Sequence, residues 1–266
     1  MIACASFLGE NAQEFHGRVV AYLADRTGQP LELLPPLAWG EQLRRLDAGD
    51  IRFAFLCGLP YVEKREAGLP LELLAAPVMA AERYAGRPVY FTDVVVRADS
   101  PARSFADLRG RTWAYNGIDS NSGYNMPRDY LLSLGETSGF FGGVTASGSH
   151  QKSIEMVLDG AADASGIDSL VLDVACAQRP DLGSRIRIIH SVGPCPAPPV
   201  VVSGLLPRAV RAELRDCLLS MHEEAGGRDV LRSGLLARFG AVDDVYYNPV
   251  REMVRRAEAA GYRQLK

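Results

Sequence analysis

The sequence predicts an α/β protein with two sets of alternating strands and helices. Short apolar runs alternate with amphipathic segments through the first ninety residues, and a second such series follows a long strand over residues 88–97. The chain has 266 residues, 47% of them hydrophobic, which is enough for one large core or two smaller lobes. This alternation is typical of right-handed βαβ units, so we expect mostly parallel sheets flanked by helices.

In the first set, buried-type strands alternate with helices that carry one apolar face. The predicted strands are residues 2–6, 31–34, 51–57 and 71–79. Between the first two strands, Ala12, Phe15, Val19 and Leu23 share one helical face. Two further helices are predicted, one over residues 39–47 and one that Pro60 opens in its first turn, where a missing N–H is harmless.

The second set repeats this pattern and ends in a tail that we predict to be helical. Its strands are residues 88–97, 111–115, 143–146, 162–166, 185–190 and 200–203, and its helices are residues 104–108, 123–134, 152–158 and 169–177. Two segments, 88–97 and the proline-rich 194–199, are the places where the chain is expected to cross between lobes. We therefore assign residues 1–88 and 201–266 to lobe 1 and residues 89–200 to lobe 2.

Composition excludes several classes of protein. Lys and Arg number 29 against 32 Asp and Glu, and this net charge of −3 argues against a nucleic-acid groove or a basic membrane-binding face. The mean hydropathy of −0.02 and the short apolar runs predict no membrane insertion. Five dispersed cysteines and four scattered histidines indicate no disulfide framework and no metal site. No nucleotide-binding loop or nucleophile elbow occurs, so we expect no cofactor.

The N-terminus lacks the charged start, apolar core and cleavage site of a signal peptide. We expect either a cytoplasmic protein or a chain whose export signal has been removed.

Three junctions between a strand and a helix carry candidate chemistry. The segment NGIDSNSG (116–123) places Ser120, Asn121 and Ser122 at a helix start, where N–H groups and the helix dipole attract anions. These residues could equally be a plain N-cap. The segment SGSH (147–150) puts His150 at the first turn of the next helix, as an anion donor or as a structural histidine. Asp168 follows a strand, where it could face a ligand or cap a helix.

Two tyrosines lie at the edges of predicted elements. Tyr61 and Tyr90 are placed where a phenol can reach a cleft, although most such tyrosines only pack, with the hydroxyl in water.

Together these segments resemble the substrate-binding proteins of phosphonate, phosphite and phosphate ABC transporters. The residues that carry the resemblance are DIRFAF (50–55), GLPYV (58–62), YFTDVVVR (90–97), FADLRG (105–110), WAYN (113–116), SNSGY (120–124) with Pro127, SGSH (147–150), GAADA (160–164) and IDS (167–169). They follow one another over most of the chain, and the serine-rich pair at 120–123 and 147–150 is the most specific part.

The resemblance implies a two-lobed type 2 periplasmic-binding fold and a non-catalytic protein that holds a small oxyanion in an interlobe cleft. It implies oxyanion donors at Ser120, Asn121 and Ser122, a further donor at His150, and a selecting carboxylate at Asp168. Tyr61 and Tyr90 would line the cleft. The implied partners are the small oxyanion and an ABC permease, and the implied compartment is the periplasm.

Two departures from the family keep other functions open. Aminophosphonate binders carry a further acidic residue where this chain has PAPPV (196–200), which favours a smaller or uncharged substituent on the ligand. The lack of a signal peptide leaves a cytoplasmic enzyme on the same fold as the alternative, acting on a small carboxylate with His150 or Asp168 as general base. A sensor that signals its closed state to a partner is a third reading.

Overall fold

The computed structural model describes residues 1–265, which form two compact units. The first unit contains Met1–Val89 and Pro196–Tyr247, and the second contains Tyr90–Cys195 and the C-terminal segment from Asn248. The strands, in chain order, are β1 Ile2–Ser6, β2 Leu31–Leu33, β3 Phe53–Phe55, β4 Leu71–Met79, β5 Val89–Arg97, β6 Thr112–Tyr115, β7 Gly143–Ala146, β8 Ala164–Asp168, β9 Ile186–Pro196, β10 Val200–Ser203 and β11 Leu236–Gly240.

One of the helices is only four residues long, and several 3₁₀ turns lie between the helices and strands. In chain order they are α1 Gln13–Thr27, α2 Trp39–Asp47, α3 Gly58–Glu66, α4 Met126–Ser133, α5 His150–Leu158, α6 Ser169–Gln178, α7 Leu182–Arg185, α8 Arg208–Ser220, α9 Ala225–Ser233 and α10 Asn248–Ala259. Among residues 1–265, none of these helices has the length and apolarity needed to cross a bilayer.

Each unit is built on one mixed sheet. The strand order is β11-β4-β10-β3-β1-β2 in the first unit and β7-β6-β8-β5-β9 in the second. The pairs β1–β2, β1–β3, β6–β7 and β6–β8 are parallel. The pairs β3–β10, β4–β10, β4–β11 and β5–β8 are antiparallel. The predicted α/β class is confirmed, with mixed sheets where we expected mostly parallel ones, because the antiparallel partners lie far apart in the chain and local alternation does not fix their relative direction.

Two of the differences from the predicted elements concern residues 186–196 and 236–240. β9 does not end at His190 but continues to Pro196, so half of the proline-rich segment is strand; the Gly193–Pro194 bond within it is cis. The predicted helical tail also contains β11, whose Leu236 and Phe239 are buried against the edge of the first sheet. β11 was missed because its five residues include an arginine and a glycine, which weaken the strand pattern.

The C-terminal helix belongs to the second unit. Our assignment put all of residues 201–266 in lobe 1, whereas α10 packs on α4 and its Arg256 forms a bidentate pair with Asp129 at 2.8 and 2.9 Å. Leu265 N–H also donates to the Tyr124 hydroxyl at 3.1 Å. The apolar stripe of α10 was correctly predicted, but its periodicity does not tell which surface it covers.

An aromatic cluster supports β6, the strand that leads into the candidate site. Trp113 is completely buried and stacks on Phe141 with ring centroids 4.8 Å apart. Phe105 stacks on Phe140 at 5.3 Å in the same cluster. Burial of these large rings makes the end of β6 a rigid base for the loop that follows.

Candidate functional site

The candidate site begins where β6 ends, in the second unit. After a four-residue loop, Ser120 caps a helix, with its Oγ accepting a hydrogen bond from the Gly123 N–H at 3.0 Å. Residues Asn121–Asn125 form one π-helical turn that runs directly into α4. The first N–H groups of any helix have no intrahelical acceptor, so this start offers donors to an anion.

Gly123 is required at this turn by close packing. A Cβ at this position would overlap Asn116 Oδ1 and lie 3.3 Å from Ser120 Oγ. Asn116 Oδ1 itself is buried and has no hydrogen-bond partner within residues 1–265. Because glycine lacks a side chain, the asparagine can lie directly against the backbone of the turn.

Ser122 and His150 meet across the site. Ser122 Oγ and His150 Nε2 lie 3.0 Å apart, and both residues are buried. His150 is the first residue of α5, after Ser149, whose Oγ accepts from the Lys152 N–H at 3.2 Å. Thus the helix starts at residues 121 and 150, predicted as separate signals, form one cluster.

Burial keeps His150 neutral. Desolvation lowers the pKa of His150 to about 3, so the imidazole carries one N–H and one lone pair at neutral pH. Its Nδ1 is buried and has no partner within the described residues. A neutral imidazole bonded to Ser122 can donate its Nε2 proton to the serine and leave the serine hydroxyl proton for an anion.

Asn121 is completely buried and engaged by three protein groups. Its Nδ2 donates to the Tyr90 hydroxyl at 2.8 Å and to Cys195 Sγ at 3.4 Å, and its Oδ1 accepts from Asn125 Nδ2 at 2.9 Å. The side chain of Asn121 therefore holds the turn in place.

Asp168 lies at the end of β8 and caps α6. Its Oδ1 accepts from the N–H groups of Leu170 at 2.8 Å and Val171 at 3.4 Å. Burial raises the pKa of Asp168 to about 7, against the effect of those two N–H donors. Capping is one of the two roles we expected for this residue; its role as a selecting carboxylate stays a prediction.

Tyr61 belongs to the first unit, on α3. Its hydroxyl donates to Asp244 Oδ1 at 2.6 Å, and its ring meets Tyr247 edge to face at 4.9 Å. Tyr61 is 1% exposed, so its ring is packed rather than pointing into bulk water.

The structure thus connects five of the seven predicted site residues through hydrogen bonds or adjacency in the chain: Tyr90, Ser120, Asn121, Ser122 and His150. Sequence reasoning missed Thr92, whose Oγ1 donates to the Ser122 carbonyl at 2.8 Å and which pairs with Asp168 across β5 and β8. A polar residue in the apolar run of β5 was the available signal. It also missed Asn125 and left out Asn116.

No group of three or more His, Cys, Asp or Glu residues within 1–265 is arranged to hold a metal ion. The donors at this site are hydroxyl, amide and imidazole groups, which suit a polar anion rather than a cation.

Comparison with known proteins gives a family and a fold. The sequence profile of the ABC transporter phosphonate periplasmic substrate-binding proteins matches residues 3–247. A binding-protein component of an ABC phosphonate transporter from Pseudomonas aeruginosa superposes with a TM-score of 0.85, at 18% identity, over 98% of this chain and 87% of that one.

Two further structures align over nearly their whole length. PhnD1 from Prochlorococcus marinus in complex with methylphosphonate gives a TM-score of 0.84 at 17% identity, over 97% of this chain and 98% of that one. A protein from Xanthomonas citri bound to ATP gives 0.74 at 19% identity, over 98% of both chains. At these identities the structural likeness establishes the fold, the two-unit architecture of periplasmic binding proteins.

Proposed function

This chain belongs to the family of periplasmic substrate-binding proteins of phosphonate ABC transporters, and from that premise we propose that it binds a small oxyanion at the helix start around Ser120–Gly123. The ligand class is a phosphonate, phosphite or phosphate-like anion. The observation that carries the proposal is the buried pair of Ser122 and His150 at 3.0 Å, beside the first N–H groups of the helix.

The donor set suits a tetrahedral oxyanion. Two kinds of donor are offered to the anion there, namely the hydroxyls of Ser120 and Ser122 and the backbone N–H groups of the turn, while the imidazole of His150 donates to Ser122 and leaves the serine proton for the ligand. Hydrogen bonds to a charged oxygen are about twice as strong as neutral ones, and burial strengthens them further. Neutral His150 acts as a donor through Ser122 and brings no positive charge, so the bound anion keeps its negative charge.

The remaining predicted residues complete the proposal. The rings of Tyr61 and Tyr90 would line the binding site and contact the ligand. The Asp168 carboxylate would disfavour ligands whose substituent carries a second negative charge. The segment PAPPV (196–200) supplies no carboxylate, which favours a small or uncharged substituent over an alkyl-ammonium group. Methylphosphonate, the ligand of the Prochlorococcus relative, meets that requirement.

We further propose that the protein binds without turnover, in the periplasm, and delivers its ligand to an ABC permease. Family membership supports this function over the enzyme alternative. The two differ in one observable, because an enzyme converts a small carboxylate whereas a receptor returns its ligand unchanged.

Isothermal titration calorimetry with five anions tests the proposal: methylphosphonate, phosphite, phosphate, 2-aminoethylphosphonate and sulfate. We expect tight binding of at least one of the first three and weaker binding of the aminoalkyl compound. Ser122→Ala should weaken that binding by roughly tenfold or more, since a hydrogen bond to a charged group contributes about 1.5–3 kcal/mol. His150→Ala should weaken it comparably.

The matched control is Ser133→Ala at the far end of α4, where the serine hydroxyl donates to the Tyr130 carbonyl of its own helix. It should bind as the wild type does. Equal affinity of wild type, Ser122→Ala and His150→Ala would show that the proposed site is wrong. Conversion of a small carboxylate by the protein, detected by NMR, would show that it is an enzyme and not a binding protein.

A further inference from the structure

We propose that Asn121 is a positioning residue that fixes the anion-binding turn to the two strands by which the chain enters and leaves the second unit, and that the Tyr90 hydroxyl influences ligand binding through it. The inference rests on the proposed function of this turn. It gives Asn121 a role different from that of the oxyanion donor expected from the sequence.

The side chain of Asn121 has no donor left for a ligand. An amide nitrogen carries two N–H groups, and those of Asn121 are directed at the Tyr90 hydroxyl at 2.8 Å and Cys195 Sγ at 3.4 Å. The carbonyl oxygen accepts from Asn125 at 2.9 Å. The residue is 0% exposed, so an anion could reach the side chain only after these bonds break.

The two acceptors, Tyr90 and Cys195, lie at the points where the chain passes between the two units. Tyr90 is the first residue of the second unit, and Cys195 is the last residue before the chain returns to the first unit. They belong to β5 and β9, which are neighbours at the edge of the second sheet. One side chain thus joins both crossing strands to the turn that carries the anion donors.

The opposite side of Asn121 is anchored within the helix. Asn125, which donates to Asn121, accepts in turn from Arg128 Nη2 at 2.9 Å. Ser120 and Ser122 flank Asn121 directly, so a shift of Asn121 moves both hydroxyls. Hydrogen bonds to an anion depend on donor distance and angle, so such a shift weakens the binding of the anion.

A double-mutant cycle separates positioning from direct contact. Calorimetry with methylphosphonate and with phosphate as probes would compare wild type, Tyr90→Phe, Asn121→Ala and the double variant. We expect Tyr90→Phe to weaken binding about fivefold, as for one neutral hydrogen bond, and Asn121→Ala about tenfold. The double variant should match Asn121→Ala within twofold, because Tyr90 acts through Asn121. A further fivefold loss in the double variant would overturn the proposal.

A second measurement needs no ligand and no substitution of Asn121. Amide hydrogen exchange of the unliganded protein should be at least fivefold faster at residues 120–125 in Tyr90→Phe than in wild type. The matched control is Tyr130→Phe on α4, whose hydroxyl makes no hydrogen bond within residues 1–265, and it should leave this segment unchanged. Unchanged exchange in Tyr90→Phe would refute positioning even if Asn121→Ala does not fold.

The two proposals fail separately. If wild type binds none of the anions, the proposed function is wrong, and the exchange measurement still decides the structural role of Asn121. If wild type binds and the cycle is additive, the function stands and the positioning role is wrong.

Discussion

Two buried titratable groups, His150 and Asp168, should change the stability of the second unit in opposite directions as the pH falls. Burial lowers the pKa of His150 to about 3 and raises the pKa of Asp168 to about 7. The ordinary values are 6.5 and 3.8. Below pH 6.5 the unfolded chain protonates the histidine and the folded chain does not, so His150 reduces stability as pH falls. Below pH 7 the folded chain protonates the aspartate first, so Asp168 adds stability as pH falls toward 3.8.

The two contributions nearly cancel between pH 7 and pH 5. Proton linkage gives a loss of about 2 kcal/mol from His150 and a gain of about 2 kcal/mol from Asp168 over that interval. Substitution separates them, because neither glutamine nor asparagine titrates. His150→Gln should therefore lose about 2 kcal/mol less than wild type on acidification, and Asp168→Asn about 2 kcal/mol more.

Urea unfolding at pH 7 and pH 5, followed by tryptophan fluorescence in buffers free of phosphate, measures these differences. The two tryptophans lie in different units, Trp39 in the first and Trp113 in the second. In a Trp39→Phe background, Trp113 therefore reports on the unit that holds both groups. The buried His16, whose pKa burial also lowers to about 3, lies in the first unit and is unchanged in both variants. Wild-type acid sensitivity in both variants would refute the reasoning.

Two further substitutions test the packing of the site. Gly123→Ala should displace the Asn116 side chain and weaken anion binding at least tenfold, because the new Cβ overlaps Asn116 Oδ1. The control in the same calorimetric titration is Gly117→Ala, which has open space around its Cβ. It should bind the anion within twofold of wild type. Thr92→Val removes the donor to the buried Ser122 carbonyl and should lower the free energy of unfolding in urea by about 1–3 kcal/mol. Thr145→Val, at an exposed position of β7, should lower it by less than about 0.5 kcal/mol. Equal losses of unfolding free energy in the two variants would contradict the role given to Thr92.

Local patterns predicted most elements of this fold. The helix α2 and the strands β1, β4, β7 and β10 follow from apolar periodicity with correct bounds, and α1 was predicted from its apolar face without bounds, because period and length are properties of neighbouring residues. The two helix starts near residues 120 and 150 were also predictable, since hydroxyl residues at a strand-to-helix junction satisfy free N–H groups locally.

Contacts between distant residues could not be predicted in the same way. Asn121 looked like an oxyanion donor, yet Tyr90 and Cys195 occupy its amide, and they lie 31 and 74 positions away in the chain. α10 has an apolar stripe that suits any apolar surface, and only packing on α4 assigns it to the second unit. At the π-helical turn Asn121–Asn125, Asn116 lies directly against Gly123, and this contact cannot be predicted from the periodicity of apolar residues.

The sequence by itself determined the alternation of strands and helices, the two serine-rich helix starts and the family to which they belong, because each is written in residues close together in the chain. Only the tertiary structure decided that Ser122 meets His150, that Asn121 faces inward, and that Asp168 and His150 have shifted pKa values. Those properties depend on which distant groups surround a side chain and how completely water is removed from it, and burial is a property of the folded chain alone.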